Sequence, residues 1–556
     1  MKKAKWYFFL FWFGLMLCLS INAFSQNQLV SGQIRTLIEG DSTYFNIAFD
    51  QYPLHSRTAL ISFYTERSFI PGWSENQQLT CNALELRHLI QNASFDGLLP
   101  EDYHLEGLNS FFEKYFSGIP LTPFELAKVD FLLSDAFILY ANHIFGGKVH
   151  PEHLHNTWEI LQKGNEPKVI EKLYLAVSEN NVKKQLFSLQ PKFAIYPRMR
   201  QSMKKYLELE KLISGKNWQK ISPKESIEPL QENELIPSIR KRLQLWKDLK
   251  PYPLSSGEEN IFDSLMLQGV RTFQERNGLH PDGVLGKATI EALNKSPQEL
   301  IKQVSVNMER LRWLPDTTVQ EFILVNIANY SLDYINKKDT LLHSNAIVGK
   351  TYRKTPVFNG TMSYLVFSPT WTVPPTILKN DVIPAVKENP NYLQSKNMRI
   401  LDFSGKEISP SSINWRTVNG DNFKYMVRQD PGPSNALGRV KFMFPNKHNV
   451  YIHDTPSRSL FSKEDRALSS GCIRIERPVD LAKLLLSDQE KWTDDLIKEA
   501  LSDNKERTVS LTRKIPVIIL YLTFWTDSRK KEQVRKDIYE RDDELYKLMR
   551  KPITNQ

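Results

Sequence analysis

The hydrophobic periodicity of this chain changes once, near residue 321, and that change limits what it can fold into. Before it, apolar residues recur at three and four, as in Leu84-Glu85-Leu86-Arg87-His88-Leu89-Ile90 and Leu132-Leu133-Ser134-Asp135-Ala136-Phe137-Ile138-Leu139-Tyr140. After it come short β-branched and aromatic runs bounded by Gly, Pro and Asn: Phe322 to Ile327, Ala346 to Gly349, Met362 to Phe367 and Asn449 to His453. At 556 residues the chain exceeds what one core can organise. The pattern therefore predicts a multidomain protein with a mainly α scaffold first and a mainly β domain last. With 41% hydrophobic and 24% charged residues the material is globular, neither disordered nor polytopic in a membrane.

Turn signals at Asp96-Gly97-Leu98-Leu99-Pro100 and Gly146-Gly147-Lys148-Val149-His150-Pro151 divide the helical part, expected over residues 26–235. A smaller unit is expected over 236–296, where helical patterns at Ile261 to Asn277 and Lys287 to Asn294 bracket a loop. In that loop Gly278, Gly283 and Gly286 are expected to supply positive φ, with Leu279, Val284 and Leu285 folding back over the helices. A return of the scaffold, or linker, at 297–318 leads to the β domain at 319–545, and 546–556 is a tail. Within the β domain, about 376–442 shows little alternation and reads as an irregular cap over a cleft. The apolar stretch from Val509 to Trp525 is too interrupted for a membrane span and reads as paired core strands.

The N-terminus carries Lys2, Lys3 and Lys5, an apolar run from Trp6 to Leu19, and small residues Ala23 and Ser25, which reads as a secretory signal over 1–25. An uncleaved membrane anchor over 6–22 is the alternative. Either places the bulk of the chain in the periplasm or cell envelope. Removing the leader leaves Cys81 and Cys472, too few for a disulfide framework. Cys81 opens an amphipathic helical pattern and is expected to be buried and structural. The net charge of +10 is spread over interspersed signs with no basic stripe, which argues against nucleic acid. Peptidoglycan, whose stem peptides carry carboxylates, fits the compartment better. The histidines show no metal-ligand spacing, so no metal and no cofactor are expected, and no Gly-x-Ser-x-Gly elbow is present.

One cluster carries chemistry: Tyr451-Ile452-His453-Asp454-Thr455-Pro456, then Ser469-Ser470-Gly471-Cys472-Ile473-Arg474-Ile475. Ser-Ser-Gly before a cysteine describes a turn that exposes sulfur and frees backbone N–H groups for an oxyanion. A thiol needs a base to become a nucleophile, and His453, ending a strand upstream, is the candidate. On pattern alone a core histidine beside an incidental thiol is an equal reading.

The two segments resemble the active-site signature of L,D-transpeptidases. Phe322 to Ile327, Ile347-Val348-Gly349-Lys350, Thr355-Pro356-Val357-Phe358, Pro369-Thr370-Trp371-Thr372-Val373-Pro374-Pro375 and Asn435-Ala436-Leu437-Gly438 resemble segments of its large, scaffold-bearing subfamily. Asp96 to Pro100 and Asn307 to Pro315 extend the likeness, and residues 236–296 resemble the peptidoglycan-binding helical module. The resemblance implies two-step acyl transfer. The Cys472 thiolate attacks the carbonyl between an L- and a D-centre of a donor tetrapeptide, the D-residue leaves, and an acceptor stem amine forms a 3→3 cross-link with His453 moving the protons. It also implies a carbapenem-reactive Cys472. The Gly471 and Cys472 amides are oxyanion candidates; Arg474, Tyr451, Ser470 and Trp371 are substrate-facing candidates, each with an equally ordinary structural role. Many relatives carry a second histidine where this chain has Ser470, which leaves His453 as the single base. A carboxypeptidase would share every one of these residues, and a non-catalytic wall-binding protein is the remaining alternative.

Overall fold

The computed structural model describes residues 28–40, 46, 48–154, 158–159, 168–213, 218–315, 320–337 and 339–553. The expected leader over 1–25, with its alternative anchor over 6–22, lies outside the described residues. No helix among the described residues is long and apolar enough to cross a membrane.

The scaffold is helical. Helix α1 (Cys81–Gln91) begins where Thr80 accepts from the Ala83 N–H, and α2 (Pro123–Gly146) begins at a full capping box of Thr122 and Glu125. Helix α2 is buried almost throughout and forms the axis of the scaffold's own core with Phe63, Trp73, Leu86 and Phe112. Cys81 is exposed, contrary to expectation. The buried face of α1 is set by Ala83, Leu86, Leu89 and Ile90, and a residue two positions before Ala83 points roughly 200° away from it.

After α3 (Ile195–Ile213) comes the small unit, built from α4 (Ile236–Leu245), α5 (Ser264–Arg276) and α6 (Lys287–Leu293). Gly278 and Gly283 have positive φ, and a Cβ on Gly283 would fall 2.2 Å from Leu267 Cδ1. Gly286 does not: it sits in extended backbone at φ −80° as the N-cap of α6. Leu243, Phe273, Leu285 and Leu293 share one apolar core with Ile323, Val325 and Val517 of the β domain, so the unit is built into the molecule.

Helix α7 (Pro297–Trp313), in the stretch expected as a return of the scaffold or linker, is buried along most of its length between scaffold and sheet. Gly97 lies against it so closely that a Cβ would sit 2.9 Å from Ser305 Cα. Arg312 donates to the Asp96 carbonyl at 2.8 Å and to Tyr196 at 2.9 Å, and pairs with Glu309 at 2.5 Å with both side chains fully buried. Glu309 also accepts from the Val149 N–H at 2.7 Å. On the opposite side Asn307 exchanges two hydrogen bonds with Thr523, and Arg310 pairs with Asp542 at 2.6 Å. The two scaffold turns read from the sequence are thus the surfaces that meet α7.

The β domain closes on itself. Strands β1 (Glu321–Asn326), β2 (Ser331–Asn336), β3 (Asp339–Gly349), β4 (Val357–Phe367), β5 (Val440–Met443), β6 (Ile452–His453), β8 (Ile473–Ile475) and β9 (Arg507–Leu520) run in the order β5-β6-β8-β3-β2-β1-β9-β4, and β4 pairs back onto β5. A short β7 (Ala467–Ser469) lies parallel to β3. The segment expected as an irregular cap is a folded unit. It has a four-stranded sheet ordered Glu407–Ile408, Met398–Leu401, Met426–Gln429, Trp371–Thr372, and a core of Val373, Leu378, Val382, Ile400 and Val427. It begins at Trp371 and its last strand ends at Gln429; residues 440–442 belong to β5 of the main sheet.

Replacing Glu309 by Ala would leave the Arg312 guanidinium buried without its carboxylate, a cost of about 3–5 kcal/mol. A fall of several degrees in the thermal midpoint is expected; an unchanged midpoint would show that α7 does not hold scaffold and sheet together.

Candidate active site

Two very short strands place the chemistry. Strand β6 runs parallel to β8, pairing Ile452 with Ile473 and His453 with Arg474, and antiparallel to β5, pairing His453 with Lys441. Lys441, His453 and Arg474 therefore form one row across three strands on the same face. Cys472 immediately precedes β8, so the sheet closes the sequence gap between thiol and imidazole.

The turn carrying Cys472 is fixed from several sides. Gly471 has φ +119°, a conformation that favours glycine. Thr355, fully buried, donates to the Gly471 carbonyl and accepts from the Gly349 N–H, each at 2.9 Å. Gly349 itself has no room for a Cβ, which would lie 2.1 Å from the Arg353 carbonyl. Ser469 Oγ donates to the Cys472 carbonyl at 2.6 Å and accepts from the Gly471 N–H at 3.1 Å. Of the two amides expected to be free, Gly471's is thus engaged, while none of the described hydrogen bonds uses that of Cys472. Ser470 Oγ accepts from Arg353 at 2.8 Å, and Arg353 also pairs with Asp381 of the inserted unit at 3.0 Å.

His453 is 4% exposed. Its Nδ1 lies 2.6 Å from the Asp454 carbonyl, an oxygen that only accepts, so Nδ1 carries the proton and Nε2 the lone pair. Burial, with the positive charge of Arg474 next, holds its pKa down to about 3, so the ring is neutral at physiological pH. The Asp454 carboxylate turns away, accepting from the Arg439 N–H at 2.8 Å and from Arg458 at 3.1 Å, and so orders the loop instead. Burial pushes the Cys472 thiol up, against opposing contributions from Tyr451, Arg474 and Lys441. Its S–H points to the Asn449 carbonyl at 3.8 Å, and no described hydrogen bond joins thiol to imidazole. Tyr451 packs 5.5 Å from the His453 ring and shares a hydrogen bond with Cys472; burial drives its own ionisation well above the usual phenol range. Trp371, opening the inserted unit, stands within hydrogen-bonding reach of Tyr451.

The structure therefore gathers Cys472, Gly471, His453, Tyr451, Arg474, Ser470 and Trp371 into one neighbourhood. It adds Lys441, Thr355 and Arg353, to which the sequence assigned no role. Thr355 and Arg353 follow the β3 glycine in a loop whose hydrogen bonds exist only once β3, β7 and β8 are assembled. A cavity of about 420 Å³ between α3, α5 and the Phe524–Val534 hairpin, lined by Lys205, Trp246, Arg276 and Glu532, contains none of these residues.

Residues 320–518 match the family described as L,D-transpeptidase catalytic domain, and the geometry above lies wholly inside that match. The chain carries an L,D-transpeptidase catalytic domain. Ahead of it, residues 58–203 match a scaffold domain and 238–293 a "Putative peptidoglycan binding domain". A Haemophilus influenzae protein described as "Putative L,D-transpeptidase" is 36% identical over 249 residues, 44% of this chain, and the chain spans about half the length of that relative. A crystal structure of the L,D-transpeptidase (residues 123–326) from Xylanimonas cellulosilytica aligns at 13% identity over 54% of this chain and all of that one, with a TM-score of 0.17.

A thiol raised by burial beside a neutral imidazole is a resting neutral pair, not a thiolate–imidazolium pair. Alkylation of Cys472 by iodoacetamide should accelerate as pH rises through the alkaline range, without a plateau near neutrality. A rate already at its maximum at pH 6 would contradict the pairing described here.

Proposed function

We propose that this chain is an exported L,D-transpeptidase that forms 3→3 peptidoglycan cross-links through a Cys472 thioester, with His453 as its base. The observation that carries the reading is the strand pairing that brings a half-buried thiol into the neighbourhood of a buried, neutral imidazole whose tautomer is fixed by the Asp454 carbonyl.

In this reading a donor tetrapeptide draws the Cys472 S–H away from Asn449, and His453 Nε2 takes its proton as sulfur attacks the carbonyl between the L- and D-centres. The Cys472 N–H donates to the developing oxyanion, the role the engaged Gly471 amide leaves to it. Collapse breaks the C–N bond, the imidazolium returns its proton to the departing D-residue amine, and a thioester remains. The acceptor stem amine then loses a proton to His453 and attacks the thioester, forming the new amide and restoring the thiol. The inserted unit flanks the site through Trp371 and Arg353 and limits water, which favours an amine over hydrolysis. Tyr451 and Trp371 line the donor side, and the 238–293 unit holds the glycan. The same acyl chemistry with a carbapenem would acylate Cys472.

Purified tetrapeptide-bearing muropeptides, followed by mass spectrometry, test this. The wild-type protein should yield cross-linked dimer and Cys472→Ala none. Full activity in that variant overturns the assignment, and release of the D-residue without dimer, whether or not acceptor is added, would make the enzyme a carboxypeptidase.

A further inference from the structure

The cavity of about 420 Å³ between α3, α5 and the Phe524–Val534 hairpin has walls from the scaffold, the small unit and the β domain. Its size lies within the roughly 300–1,000 Å³ that proteins use to enclose small molecules. Seven basic and three acidic residues line it, so it carries an excess of positive charge. Arg276 pairs with Asp248 at 2.6 Å, and Lys205 with Glu532 at 2.9 Å. Arg198 is engaged by the Ala194 and Asp527 carbonyls, and Arg529 lies 3.6 Å from the Asp527 carboxylate. Lys247, Lys530 and Lys531 remain, all exposed, with no ion pair or side-chain hydrogen bond among the described residues.

Two of these lysines stand where a side chain is unfavourable. Lys247 has φ +64° and closes α4: its N–H donates to the Gln244 carbonyl and the Asp248 N–H to the Leu243 carbonyl, an ending whose left-handed residue is ordinarily glycine. Lys530 has φ +62° in the hairpin loop, another position suited to glycine or asparagine. Strained residues of this kind collect at functional sites. Thr526 adds a buried group: it lines the cavity, is 2% exposed, and its hydroxyl has no partner among the described residues. Buried polar groups are nearly always hydrogen-bonded, so an unmet hydroxyl in a cavity wall points to a ligand.

The free charges sit singly on separate elements, unlike the guanidinium forks that converge on a phosphate. That arrangement suits carboxylates carried at intervals along a chain. Glu275, exposed on the same cavity and without an ion pair among the described residues, suits an amine of the same ligand. We propose that this cavity is a second peptide site: it binds an acidic wall stem, other than the one reacting at Cys472, by its carboxylates. The wall as the source rests on the acyl-transfer reading above; the acidic peptide as the ligand rests on the cavity. A stem held here would anchor the polymer at the junction of the three parts while a neighbouring stem reacts.

The test is fluorescence anisotropy with a labelled stem tripeptide, which lacks the terminal D-residue and so is no donor, on the intact protein. Binding should weaken as salt rises. Lys247→Gly removes the ammonium and suits the left-handed backbone, so it should cut affinity about tenfold with the thermal midpoint unchanged or higher. Lys530→Gln combined with Lys531→Gln, on the exposed hairpin loop, should cut it similarly, and a tripeptide with amidated carboxylates should not compete. Unaltered affinity in both variants overturns the proposal, as does displacement of the tripeptide by an equal concentration of inorganic phosphate, which would mark a site for any anion. Should Lys247→Gly fail to fold, the hairpin pair decides by the same criteria. Tripeptide binding lost in the variants, with no dimer formed by the wild type, would uphold this site and overturn the cross-linking reading. Dimer formed by the wild type, with binding unchanged in the variants, would do the reverse.

Discussion

The site depends on a parallel pairing only a few residues long, β6 against β8. Ile452 against Ile473 and His453 against Arg474 set which side chains share a face with the thiol, and a slip of one residue would turn the imidazole to the other side of the sheet. Strands so short have little pairing energy of their own. Their register is imposed by their surroundings: β5 and β3 pair on either side, and the ring closes through β4 and β9. The Gly471 turn is held by Thr355 and Ser469. The remainder of the chain serves that pairing at one remove, because α7 locks the scaffold against the segment that follows β9 through Asn307, Arg310 and Arg312.

Burial then sets the chemistry. Between β5, β6 and β8, desolvation raises the thiol, lowers the imidazole and keeps both neutral at rest. In the proposed reaction the thiolate forms only as its proton moves to His453.

The legible parts of the sequence were those whose signal is local. The switch to strands after residue 321 and the Ser-Ser-Gly turn before Cys472 depend on neighbours only a few positions away. Positive φ was read correctly at Gly278 and Gly283, where packing forces it, but not at Gly286, where a helix N-cap needs only extended backbone. Cys81 was misplaced because its helix buries a narrow face and the cysteine opens the first turn outside it. The inserted unit escaped notice as a folded body because its core is assembled from Val373, Leu378, Ile400 and Val427, spread over strands and turns too short to show a period. Lys441 had no local signal, and Thr355 stood in the sequence only as part of a segment resembling the family; its contact with the Gly471 turn exists only once the sheet is assembled.

The central claim is that this pairing makes Cys472 an acyl-accepting nucleophile. Intact-mass and peptide-mapping measurement after exposing the protein to a tetrapeptide donor without acceptor tests it most directly. The account predicts a mass increase equal to the donor less one molecule of its free terminal D-amino acid, located on Cys472. No adduct under conditions that release the D-residue, or an adduct on any other residue, would contradict it.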